Sequence, residues 1–316
     1  MAKVKPALGL ALSGGGAKGA FQVGVLDYLV NDRNVDFRII GGVSTGALQA
    51  MMAAQGEVKK LRQIWESIKD DGDIYTGRFG IIGGLLGADS LYSNKPLKEK
   101  IKKHINPAKI IASGRKLRIG VVSLQTGQYR LITEKDRKLR KWILASTAIP
   151  VYFEPVEMHD EQYVDGGIRD ITPLGAVMDE KPDACLVVLA SPLKMRGPRK
   201  AFPDLFTIGL RSVDIMVNEI YRNDLTEADW INNLLTRWQE MEDKLQPHTT
   251  REIEACLKPL RTALKEYRLI PTHTIAPKKD VIDTLDFEPA PIREAIRHGR
   301  EQAKAAWPEL RKKFHL

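Results

Sequence analysis

Two short glycine-rich segments carry the chemistry legible in this chain. Ser13-Gly14-Gly15-Gly16-Ala17-Lys18-Gly19 and Gly42-Val43-Ser44-Thr45-Gly46 lie close together near the start of the 316-residue sequence. The first can present a row of backbone N–H groups to an anion at the start of a helix. The second is a G-x-S-x-G elbow. Gly42 and Gly46, two residues either side of Ser44, leave room for the sharp strand-to-helix turn that lifts a serine hydroxyl into the open. Ser44 then sits at a helix N-terminus, where the dipole favours developing negative charge. An anion cradle beside an exposed serine suggests acyl transfer to water.

A serine nucleophile needs a base, most often histidine. The six histidines (His104, His159, His248, His273, His298 and His315) lie in no recognisable turn motif. His159 falls at a hairpin tip, ~15–20 Å from Asp165 if the intervening residues are extended. All six read as surface or packing residues. Asp165-Gly166-Gly167 offers another solution. A carboxylate at a strand end, followed by two glycines, can approach a neighbouring strand end and accept the Ser44 proton directly.

The glycine run has a competing reading. Gly14, Gly16 and Gly19 also satisfy G-x-G-x-x-G, the spacing of a dinucleotide-binding turn, and this match alone does not decide between the two. The dinucleotide reading wants an acidic residue closing the next strand. Asp36 is near the right distance but precedes the apolar strand core, and where that strand ends the chain has Gly41-Gly42-Val43-Ser44. A Walker-type loop fails, because Lys18 is followed by Gly19 where Ser or Thr would hold magnesium.

The elements that must position these residues alternate between strand and helix. The spacing predicts strands over 7–12, 37–41, 117–124, 128–133 and 185–190, and a hairpin over 154–158 and 162–164 turning through His159-Asp160-Glu161. It predicts helices over 19–31 and 47–55. Two strands apolar throughout indicate an α/β fold, a mostly parallel central sheet sandwiched between helices. Beyond about residue 212 the composition turns helical. Ile231, Leu234, Leu235, Trp238, Met241 and Leu245, then Ile253, Leu257, Leu260, Leu264 and Tyr267, recur at helical spacing. A helical hairpin over 212–270 follows, with Pro259 kinking or interrupting its second arm. Its stripes pack on each other or on the sheet, or serve as a lid or as a surface that dips into a membrane interface. The Lys- and Arg-rich stretch 293–313 reads as an amphipathic terminal helix.

The residues resemble the patatin-like phospholipases, serine lipid acyl hydrolases with a Ser–Asp dyad. The resemblance is carried by Gly14-Gly15-Gly16-Ala17-Lys18-Gly19, by Gly42-Val43-Ser44-Thr45-Gly46-Ala47 and by Asp165-Gly166-Gly167. Ala145-Ser146-Thr147-Ala148-Ile149-Pro150, with Phe153 and Pro155, is similar to the family's stretch before its aspartate. Ile275-Ala276-Pro277 and Asp283-Thr284-Leu285-Asp286-Phe287 look like the last strand and turn of bacterial members. The resemblance spans roughly 7–191 and 275–306. It implies a three-layer patatin-like domain over 1–316, with 212–270 an elaboration within it. It implies Ser44 as nucleophile, Asp165 as base, and the amides of Gly14, Gly15 and Gly16 as the oxyanion hole. Lys18 would hold that loop or attract an anionic head group. The implied substrate is a phospholipid or other acyl lipid, and no cofactor or metal is implied. Acyltransferase or thioesterase chemistry on the same dyad is the alternative, ahead of a dinucleotide-binding protein.

Bulk properties fit this expectation. The chain has 49 Lys+Arg against 40 Asp+Glu, a formal net charge of +9, which favours anionic partners. Peripheral contact with an anionic membrane surface is expected, and nucleic acid is not. Cys185 and Cys256 read as packed thiols of a reducing compartment, with no partner at metal-ligand spacing. The apolar stretch 7–12 is too short for a secretory signal and runs straight into the glycine motif. No run long enough to span a membrane is found, so a cytoplasmic location is expected. The glycine-rich apolar segment 79–87 reads as an acyl-chain slot, a lipid contact or plain packing.

Overall fold

The computed structural model describes residues 6–77, 90–193, 201, 205–248 and 250–316. Strand β1 (Leu8–Leu12) leads through a 3₁₀ turn (Gly16–Gly19) into α1 (Ala20–Leu26), which relaxes into a π-helical turn (Asp27–Asp32). Strand β2 (Phe37–Gly42) is followed by α2 (Thr45–Ala54) and α3 (Val58–Glu66). The short antiparallel pair β3 (Thr76–Gly77) and β4 (Tyr92–Ser93) precedes α4 (Lys95–His104) and α5 (Pro107–Ala112). Next come β5 (Lys116–Ser123), β6 (Tyr129–Ile132), α6 (Leu139–Ser146), β7 (Val156–Met158) and β8 (Glu161–Asp165). The chain continues with α7 (Leu174–Met178), β9 (Ala184–Val188), α8 (Leu205–Leu245), α9 (Arg251–Leu264), β10 (Thr272–Ile275) and α10 (Pro289–Lys313).

The eight-stranded sheet has the order β10-β9-β1-β2-β5-β8-β7, with β6 paired to β5. The strands from β10 to β5 are parallel, while β6, β8 and β7 join antiparallel. Helices cover both faces. In β1, Leu8, Leu10 and Leu12 enter the larger core with Phe21 and Met51. Ala11 enters the smaller one, with Val43, Leu174 and Val177. Strand β9 divides likewise, Leu186 and Val188 against Cys185 and Val187. Burial on both faces is why these strands read as unbroken apolar runs.

The helical elaboration differs in detail from expectation. Its first arm is α8, which begins upstream of residue 212. Pro259 does not interrupt the second arm, which runs through it as one helix. Only Leu235 of the first stripe is fully buried, and α9 has no buried residue. The arms are instead joined by Arg261 of α9, which reaches Glu242 of α8 at 2.8 Å and is steadied by Glu254 of its own helix at 2.5 Å. Asn232 ties α8 to the main domain, donating to the Ile270 carbonyl at 3.1 Å and accepting the Ile270 N–H at 3.2 Å. Cys185 is buried as expected, but Cys256 is exposed, because α9 leaves that face uncovered. The expected slot at 79–87 lies outside the described residues.

Candidate active site

Parallel strands end on one edge of the sheet, and loops leaving that edge gather there. Leu12 at the end of β1 is level with Gly42 of β2 and Val188 of β9, so the glycine run and the elbow emerge side by side. Strand β8 arrives from the opposite direction. Its last residue, Asp165, faces Val121, two residues beyond the Ile119 that faces Gly42. An antiparallel strand thus delivers a carboxylate just past the end of the strand that delivers the serine.

Ser44 adopts φ 57° and ψ −127° at the N-terminus of α2, a conformation costing ~1–3 kcal/mol in a residue with a side chain. Crowding explains its neighbours. A Cβ on Gly42 would stand 2.2 Å from the Gly46 carbonyl oxygen, and one on Gly46 2.3 Å from that of Leu12. The Ser44 N–H donates to Ser146 Oγ at 3.1 Å. Two residues on, the Ala148 carbonyl accepts the Asp165 N–H at 2.9 Å.

Asp165 is buried. Its Oδ1 accepts the Gly167 N–H at 2.8 Å, while Oδ2 is buried without a hydrogen-bond partner. Burial pushes the carboxyl up to about 7, and the Ser44 hydroxyl followed by the Gly167 N–H partly offset that rise. Ser44 and Asp165 line the same cavity. A carboxylate this poorly solvated, with one oxygen unoccupied, has the proton affinity of a base working near neutrality.

The glycine loop is pinned from three sides. Ser13 N–H donates to Val188 O at 3.2 Å, Gly14 N–H to Ile171 O at 2.9 Å and Ala17 N–H to Thr284 O at 2.8 Å. The Gly14 amide is therefore already engaged. Among the described residues, the amides of Gly15 and Gly16 have no backbone acceptor, so two of the three expected donors are unengaged. Gly14 packs closely on the elbow, since a Cβ there would lie 3.1 Å from Ser44 Cβ. Gly16 sits at φ +55° against Thr284. Lys18 pairs with Asp280 at 3.3 Å and so fastens the same loop. Gly166 and Gly167 allow the turn after β8 to press on Gly120 and Ile171.

The other candidates fall away from this point. His159 occupies its hairpin tip at φ 54°, and no histidine occupies the position of a base to Ser44 among the described residues. Asp36 precedes β2, at the opposite end of the strand from the glycine loop, and binds Arg115 at 2.7 Å. It is removed by ~20 Å of strand from a ribose on that loop. Among the described residues no group of three or more His, Cys, Asp or Glu side chains could hold a metal ion.

Two cavities meet at Gly16, Ser44 and Ile149. The first, about 850 Å³ including space open to solvent, is walled by apolar residues of α2, α3 and α4, among them Leu48, Met52, Trp65 and Ile101. The second is wider and more polar. Lys18, Asp165 and Asp280 line it, and Arg211, Asn218 and Ile220 of α8 close one side. Neither the α8 residues nor Ser146 were singled out from sequence as parts of the site. The spacing of Val58, Leu61, Trp65 and Ile68 marks an amphipathic helix, but nothing in it shows that the apolar face looks onto Ser44.

Residues 10–178 match the family model described as Patatin-like phospholipase. Among solved structures, the chain is similar to the crystal structure of VipD from Legionella pneumophila, at 15% identity and a TM-score of 0.45. The similarity covers 96% of this chain and 66% of that one, so the chain spans just under two thirds of its length. Among the described residues no helix is long and apolar enough to cross a membrane.

Proposed function

The chain belongs to the patatin-like phospholipase family, and from that premise we propose that it is a serine lipid acyl hydrolase working through Ser44 and Asp165. The observation that carries this reading is the buried Asp165 carboxyl, its Oδ2 unpartnered beside the strained Ser44. In the proposed cycle Asp165 takes the hydroxyl proton as Ser44 Oγ attacks the ester carbonyl. The Gly15 and Gly16 amides receive the oxyanion, and one such donor is worth ~2.7–4 kcal/mol of barrier in comparable sites. Collapse expels the alcohol, which takes the proton back from Asp165. Water then repeats the sequence on the acyl-enzyme and releases the fatty acid.

The two cavities suggest how the substrate divides. One acyl chain enters the apolar cavity, and the remainder of the lipid lies in the polar one, where Arg211 offers a positive charge to an anionic head group. Helix α8, roofing that cleft, serves as a lid. Val151, Ile168 and Met216 line the same cleft and are 61%, 37% and 58% exposed. That apolar rim suits contact with a lipid surface, reinforced by the net charge of +9.

Intact-mass analysis after incubation with a fluorophosphonate tests the assignment. A single adduct on the wild type, absent from Ser44→Ala, is the expected result; an unmodified wild-type chain would sink it.

A further inference from the structure

The helix that begins at Ser44 ends where another helix ends. Gln55, at the C-terminal end of α2, donates from Nε2 to the His104 carbonyl at 3.0 Å and accepts the Asn106 N–H on Oε1 at 2.7 Å. Helices α2 and α4 are thereby tied at their C-terminal ends, with Ser44 capping the far end of α2. The apolar cavity is lined along α2 as far as Met52, and Ile105, which lies between the two partners of Gln55, lines it as well. Thr45, Leu48 and Met52 present one face of α2 to it, and Ile101 and His104 come from α4.

Ile64, Lys100 and His104 line this cavity and also a separate surface hollow beside Asp73 and Glu99. A single layer of side chains therefore separates the end of the cavity from solvent. The polar atoms in that layer offer nothing to an alkyl chain: Lys100 Nζ holds Asp73 at 3.5 Å, and His104 Nδ1 is buried without a hydrogen-bond partner.

Resting on the reading of Ser44 as acyl acceptor, we infer that α2 is the ruler for the acyl chain, with Met52 near its end and His104 in its end wall setting the length. Ser44 and Gln55 are eleven residues apart. At helical rise that is about 16 Å, and with about 1.25 Å of advance per tetrahedral carbon it accommodates about 13 carbons. The substrate class is an ester of a C12–C14 acyl chain. Each methylene buried on the way contributes ~0.8 kcal/mol, about fourfold in kcat/KM.

The test is a chain-length series of monomeric p-nitrophenyl esters from C4 to C18, with binding of free C8–C18 fatty acids measured by calorimetry in parallel. The wild type should gain about fourfold per methylene and stop gaining at C12–C14. Met52→Trp should move the optimum several carbons shorter, and His104→Ala should move it longer by opening the end wall. A wild-type optimum at C6 or below, or a rise continuing to C18, overturns the inference. So does failure of both variants to shift the optimum; if Met52→Trp does not fold, His104→Ala and the wild-type profile still decide. If no ester turns over, the fatty-acid affinities decide. A maximum at C12–C14 would keep the ruler while removing the catalytic reading, and a flat series would remove both.

Discussion

The Ser44 N–H donates to Ser146 Oγ at 3.1 Å across 102 residues of chain. Because the Ala148 carbonyl also holds the Asp165 N–H, the last residue of α6 and the two that follow it set the separation of two groups delivered by different strands. Ser146→Ala leaves the buried Ser44 N–H without an acceptor, a loss of ~1–3 kcal/mol. The expected outcome is a modest fall in Tm with a larger fall in kcat and in fluorophosphonate labelling rate, KM changing little. Ser146→Cys, a weaker acceptor, should fall between the two. Equal losses in kcat and KM would assign Ser146 to general packing.

Activity should follow the ionisation of Asp165. With the carboxyl pushed up to about 7 by burial, kcat/KM on a neutral ester should climb through a limb near pH 7 and level off above it. The limb reports the free enzyme. A profile flat from pH 5 to 8 would remove Asp165 as the base.

The same shift has a stability consequence of opposite sense. The unfolded carboxyl loses its proton near 3.8 and the folded one near 7. Between those values the folded state binds more protons, so stability falls as pH rises and the penalty is complete above about 7. Asp165→Asn removes the penalty. Compared with wild type, it should gain stability between pH 4 and pH 8, by at most a few kcal/mol, while losing activity. Urea denaturation of both proteins at the two pH values measures the difference.

The glycine loop depends on its contact with the 280–284 segment. Gly16→Ala would put a Cβ 2.1 Å from the Thr284 carbonyl oxygen at φ +55°, so esterase activity should be lost along with some stability. Lys18→Met removes only a part-exposed ion pair, worth ~1 kcal/mol or less. It should lower the rate mildly and make it less sensitive to salt. A salt response unchanged in Lys18→Met would release that residue from its anchoring role.

The rim of the polar cleft can be tested apart from the chemistry. Val151→Asp with Met216→Asp should reduce hydrolysis and sedimentation with anionic vesicles severalfold, while monomeric ester turnover changes far less. Parallel losses on both substrates would argue that the rim shapes the site and does not meet the membrane.

Much of the catalytic edge was legible in the sequence because it depends on local backbone geometry. Gly42 and Gly46 declare a turn that no larger residue could make, and the apolar runs at 8–12 and 184–188 declare strands buried on both faces. Asp165 was visible through the glycines that follow it. What remained hidden was set by contacts between distant segments. No local signal says that Gly14 gives its amide to Ile171, that Ser146 accepts from Ser44, or that the apolar faces of α2, α3 and α4 leave a passage instead of closing on one another. Helical periodicity shows that a face is apolar without showing what it meets. Only the packed chain fixes which apolar faces become core, which line a cavity, and how far that cavity runs from Ser44.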